Sequence, residues 1–144
     1  MSKKELEERL SDWYKLRQMV NDSDDPYRLV IEFWNNVNSV PYNHKLNPFD
    51  KKNWPTPWDI IAENKYDEFT LALMMAYSLK FTDKFSNSCI EIRTLVDCDK
   101  TKLYNLVYIN ENDVLNYDKN NVIKAQDIDS ELYLENSVEV NYPR

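Results

Sequence analysis

The chemistry open to this chain starts from three residues. His44 is its one histidine, and Cys89 and Cys98 are its two cysteines, so any thiol–imidazole pair must be drawn from them. A thiol hydrolase needs a thiolate and a base placed to generate it. His44 falls in a proline-rich stretch, and Cys89 falls at the head of an apolar alternation. The pattern predicts a loop histidine and a thiol packed in a strand as a small apolar residue, not an activated pair. A zinc site made from these three would lack a fourth ligand. Asp22, Asp24 and Asp25 could be read as calcium ligands, but an EF-hand loop needs a glycine at its sharp turn and the chain has none. They read instead as a solvated cap between two helices. Asp67 and Glu68 are adjacent, which sets their side chains about 100° apart on a helix. A facing acid–base pair is therefore not expected, and capping accounts for both. No cofactor and no metal are expected.

Composition narrows the classes further. Among 144 residues there is no glycine, which excludes the P-loop, the dinucleotide-binding Gly-rich turn and the Gly-flanked serine elbow. The net charge of -7 argues against direct nucleic-acid binding, which needs clustered Lys and Arg. Two cysteines make no disulfide framework, and a reduced setting is expected. The opening MSKKELEERL has no apolar core and does not read as a signal peptide, and no apolar run nears the ~20 residues of a membrane span. Asparagine is abundant, 17 residues against four alanines. It is the next residue after glycine to tolerate positive φ, so pairs such as Asn35-Asn36 and Asn120-Asn121 should mark helix ends and turns.

The elements that would position these groups follow from periodicity. Residues 3–20 read as an amphipathic helix with Leu6, Leu10, Trp13, Leu16 and Val20 on one face. Asp25-Pro26 starts a second, with an Asx cap and Pro in the first turn, and it fades at Asn38-Ser39. Prolines at 41, 48, 55 and 57 break the segment 41–58, which carries Tyr42, Phe49, Trp54 and Trp58. Trp58 is expected in the core, and Trp54, between turns, is the stronger contact residue. A short helix begins at Pro57. Asp67 then precedes a helix that is apolar almost all round, from Phe69 to Leu79, and this should be the buried central helix. From Ile90 the period changes to two: strands at 90–96, 103–109 and 114–117, then one or two extended pieces at 132–134 and 138–140. Tyr104 and Tyr108 share a strand face and are expected to pack on a helix. The class is α+β in one domain, 1–144: a helical part at 1–40, a Pro/aromatic loop at 41–58, and the central helix with an antiparallel meander at 59–144.

A buried helix feeding an antiparallel sheet, over about Trp54 to Asp118, resembles the core of the transglutaminase-like, papain-fold superfamily. In that family a catalytic Cys opens the central helix, a His lies on the second strand after it, and an Asp lies on the third. Here Lys65-Tyr66-Asp67-Glu68-Phe69 stands at the helix start, Leu103-Tyr104-Asn105-Leu106-Val107 on the His strand, and Leu115-Asn116-Tyr117 at the Asp position. The resemblance implies the fold with its triad replaced, at Asp67, Tyr104 and Asn116, and these three should converge at one end of the sheet. The acyl-transfer mechanism needs a thiolate and an imidazole, which those residues do not supply.

The run Trp54-Pro55-Thr56-Pro57-Trp58, with Asn47-Pro48-Phe49 and Ile90-Glu91-Ile92-Arg93, also resembles short proteins of large tailed bacteriophages. The resemblances together imply a non-enzymatic phage protein working through protein contacts, as a virion component of neck, tail or baseplate, located in the virion or the host cytoplasm. Tyr42, Phe49, Trp54 and Trp58 are the expected contact residues. The alternatives are an acidic inhibitor of a host nucleic-acid enzyme and a divergent hydrolase using Asp67, Glu68 or a Cys89–His44 pair.

Overall fold

The computed structural model describes residues 5–37, 39–41 and 46–141, so what was expected of Tyr42 and His44 lies outside the described residues. Helix α1, Leu6–Asp22, turns Trp13, Leu16 and Val20 inward at helical spacing. Helix α2, Pro26–Asn35, starts with Pro26 in its first turn, where the missing N–H costs nothing. The expected Asx cap does not form. Asp25 makes no side-chain cap bond, and the Ser23 hydroxyl accepts from the Asp25 N–H at 2.9 Å instead. Helix α3, Pro57–Glu63, opens on a reciprocal capping box between Thr56 and Asp59 and closes on Asn64 in the left-handed region, φ 58°. Helix α4, Glu68–Lys80, is buried on nearly every side, because helices cover one flank and the sheet covers the other.

Strands β1 (Ile90–Val96), β2 (Leu103–Ile109), β3 (Asp113–Leu115) and β4 (Ile123–Lys124) run as an antiparallel meander. Strand β5, Tyr133–Glu139, does not continue it. It crosses back to pair with β1, giving the order β4-β3-β2-β1-β5. The one or two terminal pieces expected from sequence are thus a single edge strand. Ile90, Ile92, Val107 and Ile109 face α4 in the main core. Leu95, Leu106, Tyr108 and Val114 point the other way, into a smaller cluster closed by Tyr104, Tyr117, Ala125, Ile128 and Leu132. The expected helix over Tyr104 and Tyr108 is replaced by the β3–β5 connection. Turns without glycine are made by Asn64, Lys100, Asn110, Glu111 and Asn116, all at positive φ.

One hydroxyl joins the helices. Trp13 Nε1 and Trp34 Nε1 both donate to Ser78 Oγ at 2.9 Å, and Ser78 Oγ donates to the Met74 carbonyl at 2.6 Å. A hydroxyl has one proton and two lone pairs, so its capacity is fully used. A second junction ties α2 to the sheet: the Tyr27 hydroxyl donates to Asp113 Oδ2 at 2.9 Å, and Lys124 Nζ donates to Asp113 Oδ1 at 2.6 Å. Burial, with the Asp113 charge beside it, pushes the Tyr27 hydroxyl far above its ordinary range.

Ser78→Ala leaves two buried indole N–H groups without an acceptor, at about 1–3 kcal/mol each. A loss of about 2–5 kcal/mol is expected, read as a lower urea midpoint at unchanged m-value. A midpoint within error of the parent would remove the keystone role of this oxygen.

Candidate functional site

The N-terminus of α4 and the end of the sheet next to it form the candidate site. Lys80 Nζ donates to the Ser88 carbonyl at 2.7 Å, so β1 starts at the C-terminal end of α4 and runs back along it. The N-terminus of α4 therefore lies at the other end of the sheet, where β2 begins and β3 ends. Two contacts through α2 agree with this. Trp34 packs on Tyr66, with ring centroids 5.4 Å apart, and neighbouring Asn35 donates from Nδ2 to the Lys119 carbonyl at 2.7 Å.

Asp67 caps α4. Its Oδ1 accepts from the Thr70 N–H at 2.8 Å and from Thr70 Oγ1 at 2.5 Å. The carboxylate sits in the favourable field of the helix dipole and satisfies a backbone donor the helix leaves open. Glu68 is exposed beside it. Asn116 lies just past β3 at φ 75°, and its Nδ2 donates to the Asn105 carbonyl at 2.8 Å. Asp67 and Asn116 thus share this end. Tyr104 does not join them: it lies on the opposite face of β2, its ring 5.4 Å from that of Tyr117. The residue of β2 that shares the face of Val107 and Ile109 is Asn105. It is buried, and its Oδ1 accepts from Thr94 Oγ1 at 2.9 Å across β1. Strand side chains alternate, so a shift of one residue moves the expected position to the other face. Both faces of β2 are apolar, which hid this in the sequence. The polar groups gathered here are a capping carboxylate, a threonine hydroxyl and carboxamides. They can bind and orient hydrogen-bonding groups, but they supply neither thiolate nor imidazole.

The cysteines lie elsewhere. Cys89 is exposed, one residue ahead of β1, rather than packed inside a strand. Its backbone exchanges bonds with Asn110 at the far end of the sheet. Desolvation, then the carboxylates of Glu139, Glu91 and Glu111, push its thiol up, which lowers the thiolate fraction at neutral pH. Cys98 is exposed beyond β1. Asp22, Asp24 and Asp25 form no metal cluster, and no group of three His, Cys, Asp or Glu among the described residues is placed to hold one. A surface hollow of about 580 Å³ that sequence reading missed lies against Glu111, Asp113, Lys124 and Gln126, at the end away from the N-terminus of α4. Its Lys124–Asp113 pair could be found only from the fold, since β3 and β4 bring the two together.

The aromatic loop borders the site. Trp54 packs edge-on against Phe69 in the first turn of α4, centroids 5.7 Å apart, and its Nε1 donates to the Asn47 carbonyl at 2.6 Å. Asn47 Oδ1 accepts from the Phe49 N–H at 2.9 Å, an Asx turn that holds Phe49 at the tip with 75% of its surface exposed. The expected ranking of the two tryptophans is reversed. Trp54 is pinned and partly buried, whereas Trp58, in the first turn of α3, is 43% exposed and packs at a tilt against Phe81, centroids 5.4 Å apart.

No known protein family matches the chain by sequence, and no curated protein does. Among solved structures, Legionella pneumophila LapG in its calcium-bound form is similar over 95% of this chain and 77% of that one, with a TM-score of 0.65 and 14% identity. The architecture is therefore α+β and resembles the transglutaminase-like fold of that structure. Among the described residues no helix is long and apolar enough to cross a membrane.

Two outcomes are expected from this geometry. Asp67→Ala loses the cap and about 1 kcal/mol of stability, while Asp67→Ser keeps most of it, by urea unfolding; equal loss in both variants would deny the capping role. Burial also pushes the hydroxyls of Tyr66 and Tyr77 up to about 12 from an ordinary 10.0. Below the unfolded value both states hold these protons and stability does not change. Above it the unfolded chain releases them first, so stability should fall as pH rises from about 10 to about 12. A flat urea midpoint across that window would contradict the buried placement of both rings.

Proposed function

We propose that this chain is a non-catalytic form of the transglutaminase-like fold that acts through protein–protein contacts, as a structural or assembly component of a tailed-phage virion, in its neck, tail or baseplate. The observation that carries the reading is Asp67. Where the fold places its nucleophile, at the start of the central helix, a carboxylate caps the helix and is engaged by Thr70. The facing strand residues are Asn105 and Asn116, which do not deprotonate a nucleophile. The two thiols lie outside this end, and that of Cys89 is shifted away from thiolate.

What such a site keeps is shape and hydrogen-bonding groups beside an exposed ring. Phe49 projects from a loop braced by Trp54 against α4, so its backbone is held while its side chain is free to bury. A preorganised aromatic anchor is the kind of residue that dominates an interface. The contact surface accordingly centres on Phe49, with Trp54 as its support.

The test is a tagged pull-down from infected-cell lysate at low and moderate salt, with the parent and Phe49→Ala chains, read by mass spectrometry. Virion structural proteins should be recovered, should persist in salt, and should fall roughly fivefold or more with Phe49→Ala. Recovery of a basic nucleic-acid enzyme that is lost as salt rises would replace this reading with that of an inhibitor. Hydrolase activity abolished by thiol alkylation or by Asp67→Ala would make the chain an enzyme.

A further inference from the structure

Strand β5 leaves one side of the sheet open. It pairs with β1 from Glu91↔Glu139 to Thr94↔Asn136, and the Val140 N–H donates to the Ile90 carbonyl at 2.8 Å. In an antiparallel pair the inward-bonded residues alternate. Val140, Val138 and Asn136 therefore bond to β1, and the N–H and C=O of Ser137 and Glu139 point outward. Among the described residues no backbone group bonds to that edge.

The charges beside this edge are unbalanced. Glu139 lies opposite Glu91 in a non-hydrogen-bonded pair, the closer kind, where like charges are destabilising. Arg93 is committed to Glu91 and lies over the Tyr108 ring, 4.1 Å from its centroid. Ser137 Oγ also donates to Glu91, at 3.0 Å. Glu139 has no ion pair among the described residues. A cation at the strand position on its open side would relieve it, since a side chain directly across is about 4.5–5.5 Å away between Cβ atoms.

We propose that the outer edge of β5 accepts an added antiparallel strand from a protein partner, and that this strand is basic on the face that meets Glu139. The backbone bonds give affinity and the lysine or arginine gives selectivity, as in other strand-addition complexes. A second copy of the chain fits poorly: antiparallel pairing about Ser137 would set Glu135 against Glu139. The glutamates and the bulge at Glu135 thus disfavour self-association while leaving a basic strand welcome. This extends the reading of the chain as a docking protein to a second surface and rests on it.

The experiment uses the full chain and two short synthetic peptides, one alternating lysine with threonine and one alternating glutamate with threonine. Binding is followed by amide chemical shifts and by hydrogen exchange at Ser137 and Glu139. The lysine peptide should bind, protect those two amides and weaken as salt rises, and the glutamate peptide should not bind. Glu139→Lys should weaken binding about two- to fivefold while the thermal midpoint does not fall, since it also relieves the repulsion with Glu91. Ser137→Pro, which removes an outward N–H at an edge where proline is tolerated, should weaken it further. No binding of the lysine peptide, or binding indifferent to both substitutions, overturns the proposal; Glu139→Lys decides it if Ser137→Pro does not fold. Peptide bound and then cleaved would uphold the edge but end the non-catalytic reading. Peptide neither bound nor cleaved would end the edge alone.

Discussion

The helical layer hangs on a single oxygen. Ser78 Oγ accepts from Trp13 on α1 and Trp34 on α2 while donating to its own helix, so three helices meet at one hydroxyl. Tryptophan can be buried whole only if its N–H finds an acceptor. Both rings are all but fully buried, so the core of this chain requires such an acceptor at that depth. Serine provides two lone pairs from one small side chain, where two separate acceptors would need more room. Everything that α2 positions follows from this. Trp34 also packs on Tyr66, which leads directly into Asp67, so the keystone fixes the approach to the N-terminus of α4.

That geometry separates architecture from chemistry. The fold brings a helix start and two strand ends together. The residues at those places have structural partners. Asp67 is occupied in capping, Asn105 bridges to Thr94, and Asn116 takes the left-handed turn that ends β3. Each side chain has a structural partner, and none is a thiol or an imidazole. On the reading proposed above, the chain keeps the placement of a site without its reaction, because placement is set by packing over the whole chain whereas reaction depends on a few atoms.

Much of the fold was legible. Helical spacing in α1, the all-apolar α4 and the strict alternation of β1 and β2 are local signals, and they located those elements to within a few residues. The return of β5 to β1 was not legible, since pairing between strands 40 residues apart leaves no local trace; Ile92 and Val138 meet only in the folded sheet. Of the three positions expected to converge, Asp67 and Asn116 lie towards one end of the sheet, and Tyr104 lies on the opposite face of β2. Leu106 and Tyr108 on one face and Val107 and Ile109 on the other are equally apolar, so alternation could not say which face meets the helix. Trp54 and Trp58 show the same limit: both flank prolines in one short run, and only the contact with Phe69 decides which is held down.

The absence of glycine has its own consequence. Five asparagine, lysine or glutamate residues, in four turns, adopt a backbone region that a Cβ makes unfavourable, at about 1–2 kcal/mol for a typical residue and less for asparagine. Lys100 and Glu111 bear the most, since their side chains have no short polar group to compensate. The native state therefore carries conformational tension spread over its loops, while the unfolded chain, lacking the most flexible residue, has fewer shapes to lose on folding. These two effects oppose each other. The molecule trades the suppleness of its loose state for strain in its ordered one, and its turns are stiff hinges rather than soft ones.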